Sequence, residues 1–185
     1  MSHILHWVAV KVDGDLALDN PIGVLKEEAS LSLESTLQGD ERPYLNWTDW
    51  WMVGGGRFTE GDAYSTKYDH CIAYHEDAEK FLAQMNEAIE WRKAHMTSNL
   101  AELQSSDFDF TTAVEEAIEK TGALHTYGHK MWLASNLAKL SMGYWTVDTR
   151  FYDIESGLDS TEFILKDIEN GLGYQWVLVP VDFHH

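Results

Sequence analysis

The first apolar segment alternates. Ile4, His6, Val8, Val10 and Val12 fall on one parity, and Leu5, Trp7, Ala9 and Lys11 on the other. This period of two predicts a strand over 4–12. Asp13-Gly14-Asp15 ends it with turn chemistry. Beyond Pro21 the period lengthens: Leu25, Ala29, Leu33 and Leu37 recur every fourth residue, which predicts an amphipathic helix over 24–37. Gly39 to Pro43 reads as a loop, and Tyr68 to Tyr74 as a weak strand. The longest helix is predicted from Asp77 to Leu103, with Phe81, Met85, Ala88, Ile89, Met96, Leu100 and Leu103 as its apolar stripe. Thr112-x-x-Glu115 has the form of a capping box and predicts a second helix stopping at Gly122. Residues 123–141 fit two descriptions. His125, Tyr127, His129 and Met131 alternate like a strand, with Gly128 among them, while Trp132 to Leu140 suits a helix. Met142 to Arg150 reads as a strand. Asp159 to Glu162 opens a helix that ends near Asn170-Gly171 and buries Phe163, Ile164 and Ile168. Tyr174 to Phe183 is the last strand, where Pro180 suggests an edge or a bulge.

Strands near both ends with helices between them define an α+β protein with a mostly antiparallel sheet. The expected arrangement is one acidic domain over 1–185. Its N- and C-terminal strands pair and its helices lie on one face, as in a ferredoxin-like fold with insertions. That pairing brings His6 and His184 toward each other at one end of the sheet.

Charge narrows the function classes. Thirty-one acidic side chains face 13 basic ones, a formal net charge of −18 on 185 residues. Direct nucleic-acid binding through phosphates needs Lys and Arg in number and is excluded. Eight tryptophans and 44% hydrophobic residues exclude a disordered acidic tail. No stretch is apolar enough to span a bilayer. The excess acid is spread almost evenly along the chain, with one basic-free window between Lys93 and Lys120. There Glu102, Asp107, Asp109, Glu115, Glu116 and Glu119 stand unopposed. They form either a solvated helix face or a carboxylate array for a basic partner, with a spacing that imitates phosphates.

Two further groupings carry possible chemistry. In Trp47 to Phe58, Gly54, Gly55 and Gly56 permit positive φ and let backbone amides converge on an anion. Arg57 is then placed to pair with a carboxylate or phosphate, and Trp50 or Trp51 to stack on a ring. The same residues also suit a tight bend with core tryptophans and an internal Arg57–Asp49 pair. No Gly-Lys-Ser/Thr follows, so the segment is not a P-loop. Among nine histidines, a metal site is conceivable where His6 or His3 meets Asp182 and His184, with ligand types that suit Zn²⁺, Fe²⁺ or Mn²⁺. His125-x-x-x-His129 lacks the glutamate of the zinc-protease motif. Cys71, the only cysteine, reads as a buried structural thiol. No catalytic motif is present and no cofactor is implied, so a non-catalytic role is favoured over an enzyme.

Separated segments resemble a family of uncharacterised proteins, mostly from bacteriophages and actinobacteria. They are Met1-Ser2-His3, Trp47-Thr48-Asp49-Trp50 with Gly54-Gly55-Gly56-Arg57-Phe58, Met142-Gly143-Tyr144-Trp145 and Val181-Asp182-Phe183-His184. The family pattern has Trp-Asp-Trp without an interposed residue, two glycines, and Trp where Phe58 stands. The resemblance implies a phage-borne accessory protein acting in the cytoplasm of the infected host, and it brings no activity with it. Together with the charge, it leads to the expectation of a binder of a host protein with a basic surface, an anti-defence or host-takeover inhibitor. The alternative is a small-molecule or nucleotide binding protein, or an enzyme, using the Trp47–Phe58 segment.

Overall fold

The computed structural model describes residues 3–38, 50–59, 68–119, 124–141, 151–153 and 161–184. The segments predicted at Gly39–Pro43 and Met142–Arg150, together with Trp47–Asp49, lie outside them. The strands are β1 (His3–Lys11), β2 (Trp50–Val53), β3 (Ile72–Ala73), β4 (Phe151–Asp153) and β5 (Trp176–His184). The helices are α1 (Gly14–Asp19), α2 (Ile22–Gln38), α3 (Ala78–Gln104), α4 (Phe110–Glu119), α5 (Leu124–Ser141) and α6 (Thr161–Glu169).

The sheet runs β2-β5-β1-β4, and β3 also pairs with β5. β1 and β5 are antiparallel over their whole lengths, from His3 opposite His184 to Lys11 opposite Trp176. β2 and β3 lie end to end along the other side of β5, both antiparallel to it. Only β1–β4 is parallel. The fold is thus α+β with a mostly antiparallel sheet and paired N- and C-terminal strands, as the sequence predicts. The β5-β1-β4 portion has the strand directions of a ferredoxin-like sheet, while β2 and β3 extend it beyond β5.

The helices are not confined to one face. Alternation in β1 and β5 supplies two apolar surfaces. Val8, Val10, Val12, Val177, Val179, Val181 and Phe183 pack against Ala17 of α1 and against Leu25, Ala29, Leu33 and Leu37 of α2. On the opposite face Ala9, Trp176 and Leu178 pack against Phe81 and Met85 of α3 and Ile164 of α6. A strand that is apolar on both parities needs cover on both sides, so the sheet sits between two helical layers. All four stripe residues of α2 are completely buried.

Local differences from the sequence reading each have a physical cause. Asp13 caps α1 instead of closing a turn, its carboxylate accepting from Asp15 N (2.9 Å) and Leu16 N (3.2 Å). Likewise Asp109, not Thr112, caps α4, with Thr111 N at 2.8 Å and Thr112 N at 3.3 Å, so the helix begins earlier. Residues 124–141 are helical throughout. α5 packs against α3 and α4, and its buried Leu133 and Asn136 lie three apart, a helical spacing that overrides the alternation. Pro180 belongs to the central strand. Its carbonyl accepts from Gly54 N at 2.8 Å, so its missing N–H is directed toward β2 and not toward β1. The β1–β5 ladder therefore loses nothing. Phe163 is exposed; Lys11 Nζ lies 5.6 Å from its centroid and 5.6 Å from that of Trp176. Lys11 donates to Asp167 at 2.7 Å, and Trp176 Nε1 donates to the same oxygen at 3.1 Å, which ties α6 to the sheet.

Cys71 is buried beside Ser30, Sγ to Oγ 3.4 Å. Burial pushes its thiol up to about 11, which the Ser30 hydrogen bond and Lys26 offset only in part. A raised folded-state value means that the folded chain holds this proton more tightly than the unfolded chain. The resulting stability is whole below pH 9.0 and is lost as pH rises toward about 11. At neutral pH the native protein is expected to resist maleimide and the guanidinium-unfolded protein to react at once. Rapid native labelling, read by mass spectrometry, would contradict this burial.

Candidate ligand cleft at the His3–Asp182 end of the sheet

The candidate site is built from three distant pieces of chain. β1 and β5 place His3, Asp182 and His184 on the sheet face that carries α3, because His3 is opposite His184 and its neighbour Asp182 has the same parity. β2 brings Trp50 opposite His184 and Met52 opposite Asp182 on that face. Beyond Val53 the chain turns through Gly54, Gly55 and Gly56, at φ 96°, 92° and 47°, into a single 3₁₀ turn over Gly56–Phe58. The Thr59 hydroxyl donates to the carbonyls of Gly54 and Gly56, each at 3.0 Å, and holds the bend.

The glycine turn packs against an internal carboxylate, that of Asp182, and the amide that reaches it is Arg57's. Asp182 is completely buried. Its Oδ2 accepts from the Arg57 backbone N–H at 3.1 Å and its Oδ1 from His3 Nδ1 at 2.8 Å. A carboxylate so far from water needs such donors. Because the carboxylate accepts, Nδ1 is the protonated ring nitrogen. A Cβ on Gly56 would lie 2.6 Å from Asp182 Oδ2, so glycine is what lets the backbone approach. The His3 ring also meets His184 edge-on at 4.9 Å and Trp50 at 5.8 Å between centroids.

His3 further lines a cleft of about 300 Å³ between β1 and α3. Leu5 and Trp7 follow it along β1; Gln84, Glu87 and Trp91 come from α3, and Phe58 from the 3₁₀ turn. Spacings of three and four residues align Gln84, Glu87 and Trp91 on one face of α3. His95 stacks on Trp91 with centroids 5.1 Å apart and planes 6° from parallel, fixing the indole.

The sequence-predicted groups are distributed as follows. Trp50, Gly54, Gly55 and Gly56 belong to the His3–Asp182 cluster. Trp51 points to the other face and packs on the valine core. Arg57 contributes its backbone while its side chain is exposed. In the metal trio, Asp182 and His184 share a face but His6 has the opposite parity, buried against Phe183 at 5.3 Å. His3 takes the place assigned to His6. Among the described residues no group of three or more His, Cys, Asp or Glu side chains is arranged to hold a metal. In the acidic window Glu102, Asp107, Glu115 and Glu119 are exposed. Glu102 meets His129 at 3.0 Å and Asp109 is occupied with capping; the Glu116 side chain lies outside the described set. Sequence reasoning included Phe58 in the candidate segment but missed Trp7, Gln84, Glu87 and Trp91. The one available signal was the polar and aromatic face of α3 beside its Phe81–Met85 stripe.

No family model matches the chain, and no curated protein or solved structure matches it either. Among the described residues no helix is long and apolar enough to cross a membrane.

Glycine chemistry supplies a paired test. Gly56→Ala is expected to cost about 1–3 kcal/mol, through a strained positive φ and displacement of Asp182. Gly23→Ala, in α2 with nothing within 4 Å of the added methyl, is expected to gain about 0.5–1 kcal/mol. Urea denaturation of the two variants would refute the cradle if Gly56→Ala were neutral.

Proposed function

We propose that this protein binds a small organic ligand in the cleft between β1 and α3, with His3, held by Asp182, as a polar anchor. One observation carries the reading. The segments around His3, Trp50–Phe58 and Asp182–His184, far apart in sequence, converge on a buried carboxylate paired with a half-buried histidine that lines an aromatic-walled cavity. Its volume lies at the lower end of the range for small-molecule sites. A fold does not need a carboxylate buried by a triple-glycine turn merely to close a sheet. Thermal-shift screening of amines, amino acids, nucleobases and sugars is expected to find a ligand that raises Tm in the wild type. The shift should vanish in Trp91→Ala. A hit that stabilises both proteins equally, or no hit in the screen, counts against the cleft.

The charge and the family resemblance favour a second reading: a non-catalytic, phage-borne accessory protein that engages a basic surface of a host protein. The exposed carboxylates of Glu102, Asp107, Glu115 and Glu119 support it. Binding to such a partner should weaken steeply between low and high salt. Affinity unchanged at 1 M salt would exclude an electrostatic interface.

A further inference from the structure

Resting on the cleft reading, we infer that the ligand is a small organic cation of the alkylated-ammonium type. The walls supply the argument. Trp7, Phe58 and Trp91 line a cavity of about 300 Å³, and Glu87 is on the same lining. Neither lysine nor arginine is among the described lining residues. Aromatic faces carry negative quadrupolar charge and attract a poorly hydrated cation, the more so when it is desolvated between several rings. A carboxylate at the rim adds a charge that a neutral ligand does not use. Among the described lining residues, besides Glu87 and the two indole N–H groups, the polar side chains are Gln84 and His3, which suits a head group with few hydrogen-bonding atoms of its own.

The wider molecule agrees. A net charge of −18 raises the local concentration of cations and repels phosphorylated metabolites. The Asp182 carboxylate already lies against Gly56 and takes the Arg57 amide, so an external anion would meet a carboxylate at this turn. That leaves the aromatic side of the cluster for ligand, with exposed Trp50 and Phe58 beside it. His3 cannot swing toward the ligand freely, because Nδ1 is tied to Asp182 at 2.8 Å.

The test compares choline with its neutral carbon isostere, in which a carbon atom replaces the quaternary nitrogen, by titration of intrinsic tryptophan fluorescence. Saturable quenching by choline is expected, with the isostere at least about tenfold weaker, the equivalent of about 1.4 kcal/mol. Glu87→Gln is expected to weaken choline several-fold and leave the isostere unchanged. Glu87 is exposed on a helix, so this variant keeps its fold, which circular dichroism verifies. Equal binding of choline and isostere overturns the cation assignment, as does the absence of choline binding. A neutral ligand from the thermal-shift screen whose effect is lost in Trp91→Ala would preserve the cleft while discarding the cation. Failure of the screen as well would remove both.

Discussion

The antiparallel ladder between β1 and β5 is the constraint on which the remaining structure depends. It joins strands separated by most of the chain, and closing so long a loop has an entropic cost that nine paired residues and two buried faces must offset. Because both strands are apolar on both parities, the ladder creates two surfaces at once. α1 and α2 cover one; α3 and α6 cover the other. The same register determines which end groups meet. A shift of one residue would turn Asp182 into the valine core and bring Val181 to His3, abolishing the pair.

Burial of Asp182 is the most demanding local consequence. A carboxylate inside a sheet needs donors close by, and the strand backbone alone does not bring them to its oxygens. The chain satisfies it by bending β2 back through three glycines in positive φ, so that the Arg57 amide reaches one oxygen while His3 reaches the other. The unusual glycine run is thereby explained without an external phosphate. What the cradle stabilises is the orientation of an imidazole at a cavity mouth.

Parts of this were legible in the sequence because they depend on short periods. The alternation of β1, the four-residue spacing of α2 and the reach of α3 all express which side of an element faces the core. Caps were less legible. Asp109 and Thr112 are both competent, and only the backbone decides which carboxylate or hydroxyl meets free N–H groups. Alternation across His125–Met131 was misleading because packing against α3 and α4 outweighs a weak local pattern. Pro180 looked like an edge residue, yet its backbone nitrogen is on the side of β5 between the β2 and β3 pairings, where a missing donor is tolerated.

The candidate site divides along the same line. The sequence by itself determined that the protein is acidic, α+β, and built on paired strands near its two ends, and it singled out the glycine-rich segment and Asp182–His184. Composition and period suffice for this, being properties of neighbouring residues. Only the tertiary structure decided that His3 and not His6 joins Asp182, that the turn after the glycines brings the Arg57 amide to an internal carboxylate, and that α3 completes an aromatic cleft. These follow from strand register and from the packing of a helix across the sheet. Such relations link residues far apart in sequence, and no local pattern encodes them.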